Sequence, residues 1–204
     1  MSRKNPYAGP DARTRAAKAR GYPARSVFKL EEIDQRVRLL SRGQRVLDLG
    51  AAPGSWSLYA SERVGPNGRV LAVDRTPILQ AFAPNVTVVT GDALDLATEA
   101  LGAFAPYDVV LSDMAPSTSG AKASDQARSF ELFMRALEVA GALGRAGSHF
   151  VGKLFMSGDF QEARRALDRA YSRSQVIRPD ATRSRSPEVF LVGLGRRAGQ
   201  PEGG

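Results

Sequence analysis

The stretch RVLDLGAAPGSWS, residues 45–57, decides the fold. Val46, Leu47 and Leu49 form a short apolar run that reads as a buried strand. Gly50, Pro53 and Gly54 then break the chain into a tight turn. Beyond the turn, Trp56, Tyr59, Ala60 and Val64 recur at helical spacing. Strand, glycine-bearing turn and helix together make the opening half of a parallel βαβ unit.

The same pattern repeats downstream. Strands are expected at 69–73, 86–89, 107–112, 148–154 and 188–194, with a weaker one at 174–178. Helical segments are expected at about 26–38, 55–64, 93–101, 125–143 and 159–171. Residues 179–187 are too few for a crossover helix, so the last two strands should be antiparallel neighbours. The expected fold is α/β and Rossmann-like: a mostly parallel seven-stranded sheet with an antiparallel last strand and helices on both faces. The expected organisation is a basic N-terminal arm at 1–24, the Rossmann-like domain at 25–197 and a flexible tail at 198–204.

Composition narrows the chemistry. The 204 residues, 43% of them hydrophobic, suit one domain with a full core. An apolar span of membrane length is absent, and residues 1–26 lack the apolar core of a secretory signal. The absence of cysteine excludes disulfides and thiolate metal sites, and a single histidine, His149, excludes the usual zinc constellations. No metal is expected, and the setting should be the cytoplasm. Catalysis would run on carboxylates, amines, hydroxyls or an organic cofactor.

The net charge of +8 is uneven. Arg3, Lys4, Arg13, Arg15, Lys18, Arg20 and Arg25 face only Asp11 in the first 25 residues, and Arg173, Arg178, Arg183, Arg185, Arg196 and Arg197 form a second group. An anionic polymer is the natural partner for such clusters, although a solvated tail accounts for residues 1–12. The arm lacks the bulky apolar face needed to lie on a membrane.

Acids mark the strand ends. Asp48 ends the first strand, and Asp74, Asp92 and Asp113 follow the second, third and fourth. One acid there is commonplace as a helix cap. Four in succession lie on the carboxyl rim, where open α/β sheets bind ligands, and indicate a functional rim. The loop DLGAAPGS is not G-x-G-x-x-G, so it offers no close cradle for a pyrophosphate. S-adenosylmethionine has no phosphate, and its chemistry fits. Asp74, 24 positions beyond Gly50, can accept from the two ribose hydroxyls, and Asp92 can accept from the adenine amine. Gly54 lets backbone approach the methionyl end, and acids nearby suit a sulfonium.

A second stretch, SHFVGKLF at 148–155, sets a lysine in an apolar strand. Alternation puts Phe150, Gly152 and Leu154 on one face and Val151 with Lys153 on the other. From these residues alone, the plainest reading is an edge strand whose ammonium reaches solvent.

Seven segments in order resemble the FtsJ/RrmJ/RlmE family of ribosomal RNA 2′-O-ribose methyltransferases. They are RSVFKLEEID (25–34), VLDLGAAPGSWS (46–57), VDRTP (73–77), GD (91–92), LSDMAPSTSG (111–120), FVGKLF (150–155) and SRSPEVFLV (184–192). The resemblance implies a class I methyltransferase fold, S-adenosylmethionine as methyl donor, and a uridine of large-subunit (23S) ribosomal RNA in the 50S subunit as substrate. It also implies a Lys-Asp-Lys-Glu tetrad of Lys29, Asp113, Lys153 and Glu188, and cofactor contacts at Gly54, Trp56, Asp74, Asp92 and Asp113. By spacing alone, Trp56 would pass as core and Lys29 as a surface lysine. Ser55 stands where the family pattern has a second glycine, and Pro187 where it has a basic residue.

A free lysine amine titrates near ~10.4 and is a poor base at neutral pH. Lys153 is nonetheless the expected principal residue, taking the hydroxyl proton or stabilising the developing alkoxide. A monomer is expected. A base N-methyltransferase would stack an extruded base on an aromatic, where this chain has Ser117. The alternatives are a transfer RNA 2′-O-methyltransferase and a non-catalytic RNA-binding ribosome-assembly factor on the same fold.

Overall fold

Val46, Leu47, Asp48 and Leu49 are all buried because β1 (Arg45–Leu49) runs through the middle of the sheet. It is flanked in parallel by β2 (Arg69–Asp74) and β4 (Tyr107–Ser112). A strand covered on both faces and both edges has no solvent-facing side, which explains why Val46, Leu47 and Leu49 are apolar on both faces and why Asp48, near its carboxyl end, is buried with them. The computed structural model describes residues 12–117, 120–183 and 186–198.

The remaining strands are β3 (Val86–Thr90), β5 (Gly144–Phe155), β6 (Tyr171–Ile177) and β7 (Glu188–Arg196), in the order β3-β2-β1-β4-β5-β7-β6. Only β7 runs against its neighbours, pairing antiparallel with both β5 and β6. Two helices precede the sheet, α1 (Ala12–Ala19) and α2 (Val27–Val37). Three others fall between strands: α3 (Ser55–Val64), α4 (Lys122–Leu143) and α5 (Phe160–Ala170).

Strand alternation sorts the apolar side chains into two cores. Leu47, Leu71, Val110, Phe150 and Leu154 pack with Phe133 of α4 and Leu167 of α5. Val46, Val70, Val109, Val151 and Phe190 pack on the opposite face with α2 and α3. Ala17 of α1 and Tyr22 are buried in this second core, so residues 12–22 are packed against the domain. Arg20 makes two 2.9 Å bonds to Glu31, and Arg13 donates to the Asp180 carbonyl. The solvated tail considered for residues 1–12 falls, but for Ala12, outside the described residues.

The sheet corrects three expectations. Lys153 is not on an edge: β5 lies between β4 and β7, and the residue is only 7% exposed. The helix expected at 93–101 shrinks to a single 3₁₀ turn at Thr98–Leu101, closed by a bond from the Gly102 amide to the Glu99 carbonyl. β5 begins at Gly144, where it pairs with Tyr107, and an irregularity in the ladder absorbs the extra residues.

Far from the carboxyl rim, α2 ends in a buried polar junction. Asp34, 2% exposed, accepts from the Leu40 amide at 2.8 Å, the Tyr59 hydroxyl at 2.9 Å and Arg63 Nε at 2.9 Å. Burial, then the bond to Asp34, pushes the Tyr59 hydroxyl well above its ordinary value.

Candidate active site

The turn after β1 is drawn tightly onto β2. The amides of Gly50 and Ala51 both donate to the Val73 carbonyl, at 2.9 and 3.1 Å. Asp74 Oδ2 takes the Ala52 amide at 2.9 Å, while Oδ1 takes the Thr76 amide at 2.7 Å. Asp74 thus braces the turn as well as facing the rim, a role its position in the sequence does not signal. Gly50 has φ +77°, and a Cβ there would lie 2.7 Å from Met114 Cγ and 2.8 Å from its backbone. Only glycine permits both the conformation and the approach.

Between the ends of β1, β2, β3 and β4 lies a cavity of about 310 Å³, within the range of small-molecule sites. Gly50, Asp74, Gly91, Asp92, Met114 and Leu132 are among its lining residues. Asp92 is fixed by the Leu94 amide on Oδ1 at 3.0 Å. At the same cavity, Arg75 Nη2 donates to Ser117 Oγ at 2.7 Å, joining the loops after β2 and β4. The apolar walls and two carboxylates fit an adenosine with its ribose diol. Gly54 and Trp56 do not border this cavity. Gly54 (φ +109°) is closed in by Phe82, whose Cζ would lie 3.0 Å from a Cβ at that position. The Trp56 indole is in the second core, 5.7 Å from the Phe190 ring, and donates to the Ser26 carbonyl at 2.9 Å. Its α3 position satisfies the core reading of the spacing.

Beside the cavity the four tetrad residues come together from four elements. Lys153 Nζ lies 2.9 Å from Asp113 Oδ1 and also donates to the Asp113 carbonyl. Lys29 Nζ pairs with Glu188 Oε1 and stands 5.8 Å from the Phe190 ring centroid. Lys153 pairs in register with Phe190. That puts Glu188, two residues away, on the same sheet face and diagonal to Lys153. Thr182 donates to Glu188 Oε1 at 3.3 Å. Burial would raise the Glu188 carboxyl, but Lys29, then Lys153 and Ser186, outweigh it and hold the group below its ordinary value. Two cations and two anions alternate and sum to zero. Such a chain holds an amine still in a dry site without stranding a charge.

Two other groups need placing. Asp48 is fully buried, with Oδ2 taking the Ser57 hydroxyl at 2.6 Å and Oδ1 without a partner among the described residues. Burial first, then the charges of Asp113 and Asp74, push it up to about 7 against the lowering effect of Ser57. His149 Nδ1 accepts the Gly195 amide at 3.1 Å, and burial lowers its proton affinity. That makes His149 a structural acceptor between β5 and β7. Among the described residues, no group of three or more His, Asp or Glu side chains is placed to hold a metal ion. No helix among them is long and apolar enough to cross a membrane.

Residues 22–196 match the family model described as FtsJ-like methyltransferase. A protein named ribosomal RNA large subunit methyltransferase E from Sorangium cellulosum is 67% identical over 195 residues, covering 96% of this chain and 92% of its own length. Its namesake from Bdellovibrio bacteriovorus is 46% identical, covering 90% and 95%. A crystal structure described as a ribosomal RNA methyltransferase from Plasmodium falciparum superposes with a TM-score of 0.72 at 21% identity, over 86% of this chain and 98% of that one. Fibrillarin from Aeropyrum pernix, solved with natively bound S-adenosyl-L-methionine, gives 0.55 at 18% identity, over 76% and 68%. At these identities the two structures speak to the fold alone.

Proposed function

The chain belongs to the FtsJ-like methyltransferase family, and from that premise we propose that it methylates the 2′-hydroxyl of a uridine ribose in large-subunit (23S) ribosomal RNA. The substrate would be presented by the assembled or assembling 50S subunit, and the enzyme would act as a monomer. The observation that carries this reading is the meeting of Lys29, Asp113, Lys153 and Glu188 at the strand ends, beside a cavity lined by Asp74 and Asp92.

S-adenosylmethionine supplies an electrophilic methyl group on its sulfonium. Asp74 would hold the ribose diol and Asp92 the adenine amine, with Gly50 and Met114 closing on the adenosine. Asp113 anchors Lys153 through both its carboxylate and its carbonyl, which fixes the ammonium at the boundary of cavity and cleft. Lys29 and Glu188 border an open cleft on the other side of the tetrad. A ribose seated there would lie beside Lys29 and Glu188, with Lys153 on the neighbouring strand the group to meet its 2′-hydroxyl. As the carbon–oxygen bond forms and the carbon–sulfur bond breaks, the hydroxyl proton must leave. Lys153 would either take that proton as the neutral amine or, as the cation, face the developing alkoxide while the proton passes to water, and Lys29 with Glu188 would keep the hydroxyl oriented.

Mapping of 2′-O-methyl groups in ribosomal RNA by mass spectrometry, with and without this protein, tests the reading. The expected result is one large-subunit uridine that loses its mark when the protein is absent. An unchanged map would refute it.

A further inference from the structure

Ser55 is the first residue of α3, directly after Gly54, and is 1% exposed. Its hydroxyl is used twice on one residue. It accepts the Ala24 amide at 2.8 Å and donates to the Ala24 carbonyl at 3.1 Å. One residue on, Trp56 donates to the Ser26 carbonyl. The first turn of α3 is therefore sewn to residues 24–26 by three hydrogen bonds.

Those residues lead directly into α2 and Lys29. The Lys29 amide donates to the Ser26 carbonyl at 3.0 Å, and Arg25 donates to the Ala181 carbonyl at 3.2 Å. Pro23, Ala24, Arg25, Lys29 and Glu188 share one wall of the open cleft beside the tetrad. On its other side, Ser55 continues the turn whose Gly50 borders the cavity.

We infer that Ser55 is a positioning residue that couples the methyl-donor turn to the acceptor-side wall. The inference rests on the proposed methyl transfer between those two sites. Binding of donor at the turn steadies residues 50–55, and the Ser55 hydroxyl transmits that order to residues 24–26 and on to Lys29. Reciprocally, RNA in the cleft steadies the turn, as linkage requires.

Ser55→Ala and Ser55→Gly both remove the hydroxyl but differ in backbone freedom, so a loss common to both belongs to the hydroxyl. Calorimetry should give S-adenosylmethionine affinity within about twofold of wild type, since Gly50, Asp74 and Asp92 are untouched. The kcat/KM for RNA should fall roughly three- to thirtyfold, the scale of one or two neutral hydrogen bonds. Hydrogen exchange should show residues 22–28 protected by S-adenosylmethionine in wild type and not in either variant. Unchanged kcat/KM in both variants, an equal loss of cofactor affinity, or no cofactor-dependent protection in wild type would each overturn the inference. The exchange measurement needs only cofactor binding. A wild-type protein that protects residues 22–28 yet methylates no RNA sugar would instead sink the proposed reaction.

Discussion

α2 touches two regions of buried charge, and they are built differently. At its carboxyl end, Asp34 is met by an amide, a phenol and a guanidinium, so both of its oxygens are satisfied. Near its start, Lys29 enters the rim, where Glu188, Lys153 and Asp113 alternate in charge and Asp48 leaves one oxygen without a partner. The junction at Asp34 fastens α2 to α3 and to the turn before β1. The rim includes one buried carboxyl oxygen, Asp48 Oδ1, that no group among the described residues satisfies. A buried polar network that is fully satisfied specifies structure, whereas one left short has capacity for a ligand or a reaction.

The contrast can be broken most directly at Lys153. Lys153→Ala should lower the single-turnover rate of methyl transfer about 10²–10⁴-fold. S-adenosylmethionine affinity should change little, whereas thermal stability should fall, because Asp113 loses its buried cation. Lys153→Arg should fail nearly as badly, because a guanidinium neither deprotonates nor fits the space of an ammonium. Retention of more than about a tenth of the rate by Lys153→Ala, well short of that expected loss, would put Lys153 on the structural side of the comparison.

Asp34→Ala should show the opposite profile. It strands the Leu40 amide and the Tyr59 hydroxyl, and should cost about 2–4 kcal/mol of stability in urea unfolding while the folded fraction keeps its kcat. A variant of unchanged stability but impaired turnover would reverse the assignment. At the cavity, Asp74→Ala and Asp92→Ala should each weaken S-adenosylmethionine by roughly ten- to hundredfold, about 1.5–3 kcal/mol for one charged hydrogen bond. Asp74→Ala should be the worse of the two, because it also releases the Ala52 amide. Equal calorimetric affinities in both variants and wild type would remove the cofactor site.

The last test concerns Asp48 and is read as a dependence of stability on pH. Its carboxyl is raised from the ordinary carboxylate range to about 7 in the folded protein. The unfolded chain therefore releases the proton first as pH rises. The stabilisation is complete below pH ~4 and is lost as pH climbs towards 7. Asp48→Asn should flatten that decline by at most about 1.4 kcal/mol per pH unit and make the protein more stable at pH 8. Parallel stability–pH curves for the variant and wild type would show that Asp48 is ionised in both states.

The strands with strong apolar runs were legible, since Arg45–Leu49, Tyr107–Ser112 and the core of β5 carry their burial in their own residues. The lysine in β5 was not. Whether a strand is central or at an edge depends on which strands flank it, and nothing in residues 148–155 encodes the arrival of β7 alongside. The missing helix at 93–101 shows local chemistry prevailing over composition. Asp92 turns the chain by taking the Leu94 amide on its side chain and the Asp95 and Leu96 amides on its carbonyl, and only Thr98–Leu101 forms a short 3₁₀ helix. Within the candidate site, the rim acids could be read from their strand ends, whereas the tetrad rested on the family resemblance. Lys29 and Glu188 are 159 positions apart in the 204-residue sequence, so only the folded chain makes them partners. The Ser55–Ala24 bonds, the bonds of Asp34 to Tyr59 and Arg63, and the Arg75–Ser117 bond left no sequence signal because each joins residues 25 or more positions apart that only the fold brings together.

The place of β7 in the sheet also sets an order of events during synthesis. β6 pairs with β7 alone, and the outer edge of β5 is covered by β7 alone. A nascent chain that has emerged only as far as residue 187 therefore has an open β5 edge, an unattached β6 and no Glu188 to meet Lys29. Its donor cavity, formed by residues before 133, can already be folded. Of the strands in this sheet, β7 is translated last, and it closes the sheet and delivers the fourth tetrad residue in the same step. A newly made chain therefore cannot assemble the four proposed site residues before residue 188 has emerged.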